Sequence, residues 1–133
     1  MGFLCWCQRV RSTPGRSRET RSSYAAFEVQ LLDDAGSPPS AHGTGSFYRY
    51  KSPSSNPARP APEWNTIEVE CAGPRITIRV NGRTILETDQ SEIADVTTRP
   101  AGVPAPKDKP RRGYVALQCH SGRVEFRKVR IRA

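Results

Sequence analysis

The chain has 133 residues, of which 35% are hydrophobic, and carries a net charge of +8. That length suggests one domain, and the low apolar share excludes a thick core. No run of about 20 apolar residues is present, which argues against a transmembrane helix, and the short apolar stretch Gly2 to Cys7 has neither the basic flank nor the length of a signal peptide.

Residues 1–23 are rich in Arg, Ser and Thr and read as a disordered or loosely attached basic segment. Within them Cys5-Trp6-Cys7 is a CxC, not the CxxC spacing of zinc or thioredoxin-like sites. The domain is expected over residues 24–133. Phe27, Val29 and Leu31 alternate with Glu28 and Gln30, the period of a half-buried strand. Asp33 to Pro39 ends it with turn formers and prolines. Phe47 to Tyr50 is a second strand candidate, reached through Gly43-Thr44-Gly45, and four prolines make residues 51–63 an extended loop.

The middle of the chain has the clearest pattern. Ile67, Val69 and Cys71 share one face, as do Ile76, Ile78 and Val80. Asn81-Gly82 is the hairpin signal, because both central residues of a type I′ turn need positive φ. Thr84 to Glu87 returns and completes a three-stranded meander. Residues 89–112 form a long polar, proline-containing loop, of the kind that is often functional or mobile. In Tyr114 to His120, Val115, Leu117 and Cys119 point one way, and Gln118 and His120 the other. A last strand starts at Val124 and Phe126. Val129 and Ile131 fall out of phase with it, which predicts a bulge near Arg127-Lys128. About seven short strands without helical period predict an all-β, antiparallel β-sandwich.

Chemistry is expected on the polar positions of these strands. Glu28 and Gln30, Gln118 and His120, and Tyr48 and Tyr50 each have i, i+2 spacing, so each pair projects from one side of its strand. If the strands share a sheet, its outer face offers carboxylate, amide, imidazole and phenol groups, an inventory suited to sugar hydroxyls and ring faces. An ordinary solvated sheet face has the same alternation. Trp64 reads either as a core-edge residue or as a ring-stacking platform. His42, His120, Asp33 and Asp34 lack the spacing of a metal site. Cys71 and Cys119 fall at inward positions, as buried thiols or, if their strands are neighbours, a disulfide. The basic charge raises the prior for anionic partners, yet no nucleic-acid-binding module is recognisable, and the arginines read as solvated surface.

Several strings in order resemble a known pattern: Phe27-Glu28-Val29-Gln30-Leu31-Leu32-Asp33-Asp34, Gly43-Thr44-Gly45 with Tyr48, Glu63-Trp64-Asn65-Thr66, Asn81-Gly82, Gly113 to Gln118 with His120, and the closing Val124 to Ile131. Together they resemble the 3-keto-disaccharide hydrolase family over about residues 26–132. The resemblance implies a concanavalin-like jelly roll and exported bacterial proteins that cleave 3-keto-glycosides. The chain departs from the family pattern twice: nothing in residues 1–23 matches the family's earlier strands, so that either the start is misassigned or this is a truncated copy, and the family often has an acidic residue where this chain has Cys119. Cleavage next to a ketone needs a base and a donor to the developing enolate oxygen. His120 or Glu28 is the candidate base, Gln30 and Gln118 orient or donate, and Asp33 is a candidate acid or metal ligand. Tyr48 and Trp64 are candidate sugar-binding rings. The partner implied is a carbohydrate, and the cofactor is left open, with a divalent metal one option. A non-catalytic carbohydrate-binding module on the same fold is the competing reading.

Overall fold

The computed structural model describes residues 2–7, 27–96, 101–109, 114–119 and 122–132. Six strands are present among them: β1 (Gly2–Cys7), β2 (Phe27–Leu31), β3 (Ile67–Ala72), β4 (Arg75–Val80), β5 (Arg83–Asp89) and β6 (Tyr114–Cys119). They form two antiparallel three-stranded sheets, ordered β2-β1-β6 and β3-β4-β5. The helical content among the described residues is two 3-10 turns, Gln90–Glu92 and Pro106–Asp108.

The meander forms as its alternation predicts. Asn81 and Gly82 both have positive φ, 51° and 78°, as the hairpin turn between β4 and β5 requires. Ile76, Ile78 and Val80 are buried and meet Phe27, Val29 and Phe47 from the other sheet in one apolar cluster. The β4–β5 register shifts after Ile78, which pairs with Leu86 while Arg79 pairs with Thr84. That bulge takes Ile85 out of the alternation, and the adjacent Ile85 and Leu86 are both buried. Gly45, at φ 75°, passes so close to Ile85 that a Cβ there would collide with its Cδ1.

Several expectations need correction. Gly2–Cys7, read as part of a loose segment, is the central strand of its sheet, paired on both sides. Its unbroken apolar run suits a central strand, but six residues are too few to stand out beside so many arginines. Phe47 to Tyr50 is not a strand. Phe47 makes isolated bridges to Val29 and Lys51, and the chain then turns at Arg49, φ 71°. The turn sends Tyr50 back against the core, so Tyr48 and Tyr50 do not share a face. The final strand forms no ladder among the described residues, although Lys128 has φ 54°, a kink where the bulge was expected.

The loop after β5, polar in sequence, packs several of its residues inward. Val103, Pro106 and Lys109 are buried, and the buried Gln90 amide donates to the carbonyls of Pro106 (2.8 Å) and Lys109 (2.7 Å). The Lys109 ammonium lies 4.9 Å from the Phe27 ring centroid and 5.4 Å from that of Tyr50. The two inward cysteines prove to be exposed free thiols on strands of different sheets, which removes the proposed disulfide. Cys119 has the row expected of it, but Val115 and Leu117 in the same row of β6 are exposed as well.

Candidate functional site

Register decides which polar groups meet. Phe3 of β1 pairs with Gln30 on one side and Gln118 on the other, while Cys5 pairs with Glu28 and Ala116. Directly opposed residues face the same side of a sheet, so Glu28, Gln30 and Gln118 share a face. Gln30 and Gln118 are two strand spacings apart, about 10 Å between Cα atoms.

On the outer side of β2, residues 45–48 extend the same face. The Gln30 N–H donates to the Ser46 carbonyl (3.1 Å), the Gly45 N–H to the Gln30 carbonyl (2.8 Å), and the Tyr48 N–H to the Glu28 carbonyl (2.9 Å). The Val29–Phe47 bridge fixes the pairing as Gln30 with Ser46 and Glu28 with Tyr48. Phe27, Val29 and Phe47 point into the core, which leaves Glu28, Gln30, Ser46 and Tyr48 on the opposite side.

That side is not the solvated outer face that alternation alone predicts. Glu28 is only 5% exposed, Gln30 2% and Ser46 0%. Glu28 Oε2, Gln30 Oε1 and Ser46 Oγ are buried without a hydrogen-bond partner among the described residues. Buried polar atoms are normally hydrogen-bonded, so three such oxygens on one face single it out as the candidate polar site. Burial raises the Glu28 carboxyl pKa above its usual value, and the nearby Arg49 charge partly offsets this. Arg49 is held in the left-handed region by its turn, and its N–H donates to the Ala41 carbonyl (2.8 Å). Its guanidinium lies 5.3 Å from the Tyr48 ring centroid, and His42 meets the same ring edge-on at 5.2 Å.

The other candidates are placed differently. Asp33 is exposed beyond the end of β2, and its carboxylate accepts from the Ala61 N–H (3.3 Å). The neighbouring Asp34 is a loop staple, accepting from the Thr44 N–H (2.9 Å) and the Asn56 amide (3.2 Å). Trp64 is 39% exposed in the loop before β3, with the Arg127 guanidinium 3.9 Å over its ring. No described contact joins Asp33 or Trp64 to Glu28. His120 lies outside the described residues. Ser46 and Arg49 were missed by the sequence reading. Ser46 shares the parity of Tyr48 and was within reach of it, whereas Arg49 joins the cluster through a turn that alternation does not reveal.

Among the described residues, no three His, Cys, Asp or Glu side chains are placed to hold a metal. No described helix is long and apolar enough to cross a membrane. A separate groove of about 350 Å³ runs beside β5, lined by Lys51, Ser52, Ser54, Thr84 and Glu87 among others. Its polar groups are largely engaged within the protein: Lys51 Nζ donates to the Glu87 carbonyl and Thr88 Oγ1 (both 3.1 Å), and Ser54 Oγ to the Ile85 carbonyl (3.0 Å). The unsatisfied face of β2 is therefore the stronger candidate.

The sequence pattern of a family described as 3-keto-alpha-glucoside-1,2-lyase-like domain matches residues 2–132. That match takes in β1, which the resemblance read from the sequence left out. Among solved structures, one from Parabacteroides distasonis described as a "putative glycosyl hydrolase" is similar, with TM-score 0.64 and 23% identity. The similarity covers 91% of this chain and 63% of that one, so the chain spans under two thirds of its solved relative. No curated protein matches. The likeness to the solved structure establishes the fold, an all-β antiparallel sandwich.

Proposed function

Because this chain belongs to the family of 3-keto-alpha-glucoside-1,2-lyase-like domains, we propose that it cleaves glycosidic bonds of 3-keto sugars, with Glu28 as the proton-transferring group. The observation that carries the reading is the Glu28 carboxyl, desolvated and with one oxygen unsatisfied, on one sheet face with Gln30, Ser46, Tyr48 and Gln118.

A C3 ketone acidifies the proton on C2. A base removes that proton, an enolate forms on the ketone oxygen, and the glycosidic oxygen leaves C1 with its electron pair and takes the proton from the protonated base, giving a C1–C2 double bond. Water then adds back across that bond, restoring the C2 proton and placing the hydroxyl on C1. Net hydrolysis thus needs one group that takes and returns a proton, and donors to the enolate oxygen. A carboxyl pushed up by burial is a stronger base than an exposed one and keeps the proton it must return. Arg49 favours the carboxylate form in which the cycle starts. The amides of Gln30 and Gln118 supply donors, and the Tyr48 ring an apolar surface for a sugar face.

The test compares a 3-keto-α-glucoside with the matching glucoside lacking the ketone. Turnover of the keto sugar alone is expected, with deuterium from solvent incorporated at C2. Glu28→Gln should lower kcat by about 10² to 10⁴. Full activity in that variant removes Glu28 from the mechanism. Binding of the sugar by the wild type without cleavage leaves the binding-module reading in its place.

A further inference from the structure

We propose that residues 123–132 are an acceptor strand, onto which an acidic, extended polypeptide segment adds by β-pairing. This inference is independent of the chemistry proposed for Glu28.

The segment has the composition of a strand, but none of the described segments pairs with it. Val124, Phe126, Val129 and Ile131 give it β-forming side chains, and Lys128 at φ 54° supplies the kink of a bulge. Yet among the described residues no backbone hydrogen bond engages residues 123–132. Phe126 is 37% exposed, Val129 58% and Ile131 74%. Natural sandwiches rarely leave such a row of apolar side chains and unpaired backbone groups open.

Charge identifies the occupant. Residues 123–132 contain five basic side chains against one acidic. The acidic one, Glu125, is paired with Arg123. Arg127 lies over Trp64, and no ion pair engages Lys128, Arg130 or Arg132 among the described residues. Lys128, Arg130 and Arg132 alternate with Val129 and Ile131, which predicts one basic and one apolar face along this stretch. A partner strand alternating carboxylates with β-branched residues complements both. A second copy is disfavoured, because it would set this basic row against itself on a chain of net charge +8. A lipid surface is disfavoured because unpaired backbone groups are costly in a bilayer.

The probe is a fluorescein-labelled decapeptide alternating Glu with Val, titrated against the whole chain and followed by anisotropy and amide hydrogen exchange. Saturable binding, weakened by salt, is expected. Amide protection within residues 123–132 should rise at least about tenfold, the scale of about 1.4 kcal/mol. A peptide of the same charge with proline at alternate Val positions cannot donate to the ladder and should bind at least about tenfold more weakly. Ile131→Pro in the protein should do the same, while Glu28→Gln should leave peptide binding unchanged. The proposal fails if the proline peptide binds as well as the first, or if binding protects amides elsewhere. It fails equally if only phosphatidylglycerol vesicles bind, or if the wild type self-associates through this segment.

Discussion

The two ends of the β2-β1-β6 sheet carry the same alternation and meet opposite fates. At β2, Phe27 and Val29 are 8% and 5% exposed, under the meander. At β6, Val115 and Leu117 occupy the same two rows, aligned through Trp6 and Leu4, yet stand 41% and 42% exposed. Burial is therefore not a property of the strand pattern. It depends on what the rest of the chain brings over the strand. Phe47 and the Lys109 side chain reach β2, while Val115 and Leu117 are left open.

Gly45→Ala breaks the closed end most severely. It puts a Cβ into Ile85 at a backbone angle that alanine tolerates poorly, and should cost about 3 kcal/mol or more in urea unfolding. A retained midpoint would mean that Ile85 moves aside freely.

The matched pair Val29→Ala and Leu117→Ala measures the comparison directly. Loss of the buried Val29 methyls should cost about 2 kcal/mol, and truncation of Leu117 under about 1 kcal/mol, although leucine is the larger residue. Equal losses would show that the β6 end is covered in solution.

The smallest effect concerns the polar face of β2. Glu28 has a folded-state pKa above its ordinary value of 4.5, so the unfolded chain releases this proton first. Stability from this group is full below that ordinary value and is lost as pH rises to the folded value, with no further change above. Glu28→Gln should remove this loss and raise the neutral-pH melting temperature by a few degrees, with little gain in acid. A gain equal at both pH values would place the carboxyl in water. If Glu28 also acts as the base, wild-type turnover rises over the same pH interval in which stability falls.

Much of this protein is legible from side-chain alternation and turn chemistry alone. The meander, the Asn81-Gly82 hairpin and the shared side of Glu28 and Gln30 on β2 follow from local backbone geometry, which a short window of sequence specifies. What comes from far along the chain is not legible in that way. The central place of Gly2–Cys7, the turn that brings Arg49 beside Tyr48 and Glu28, and the exposure of Cys71 and Cys119 depend on long-range pairing and coverage. Alternation assigns a side chain to a face. Whether that face becomes core, closed polar site or open surface is decided only when other segments pack on it, because desolvation is a property of the assembled fold.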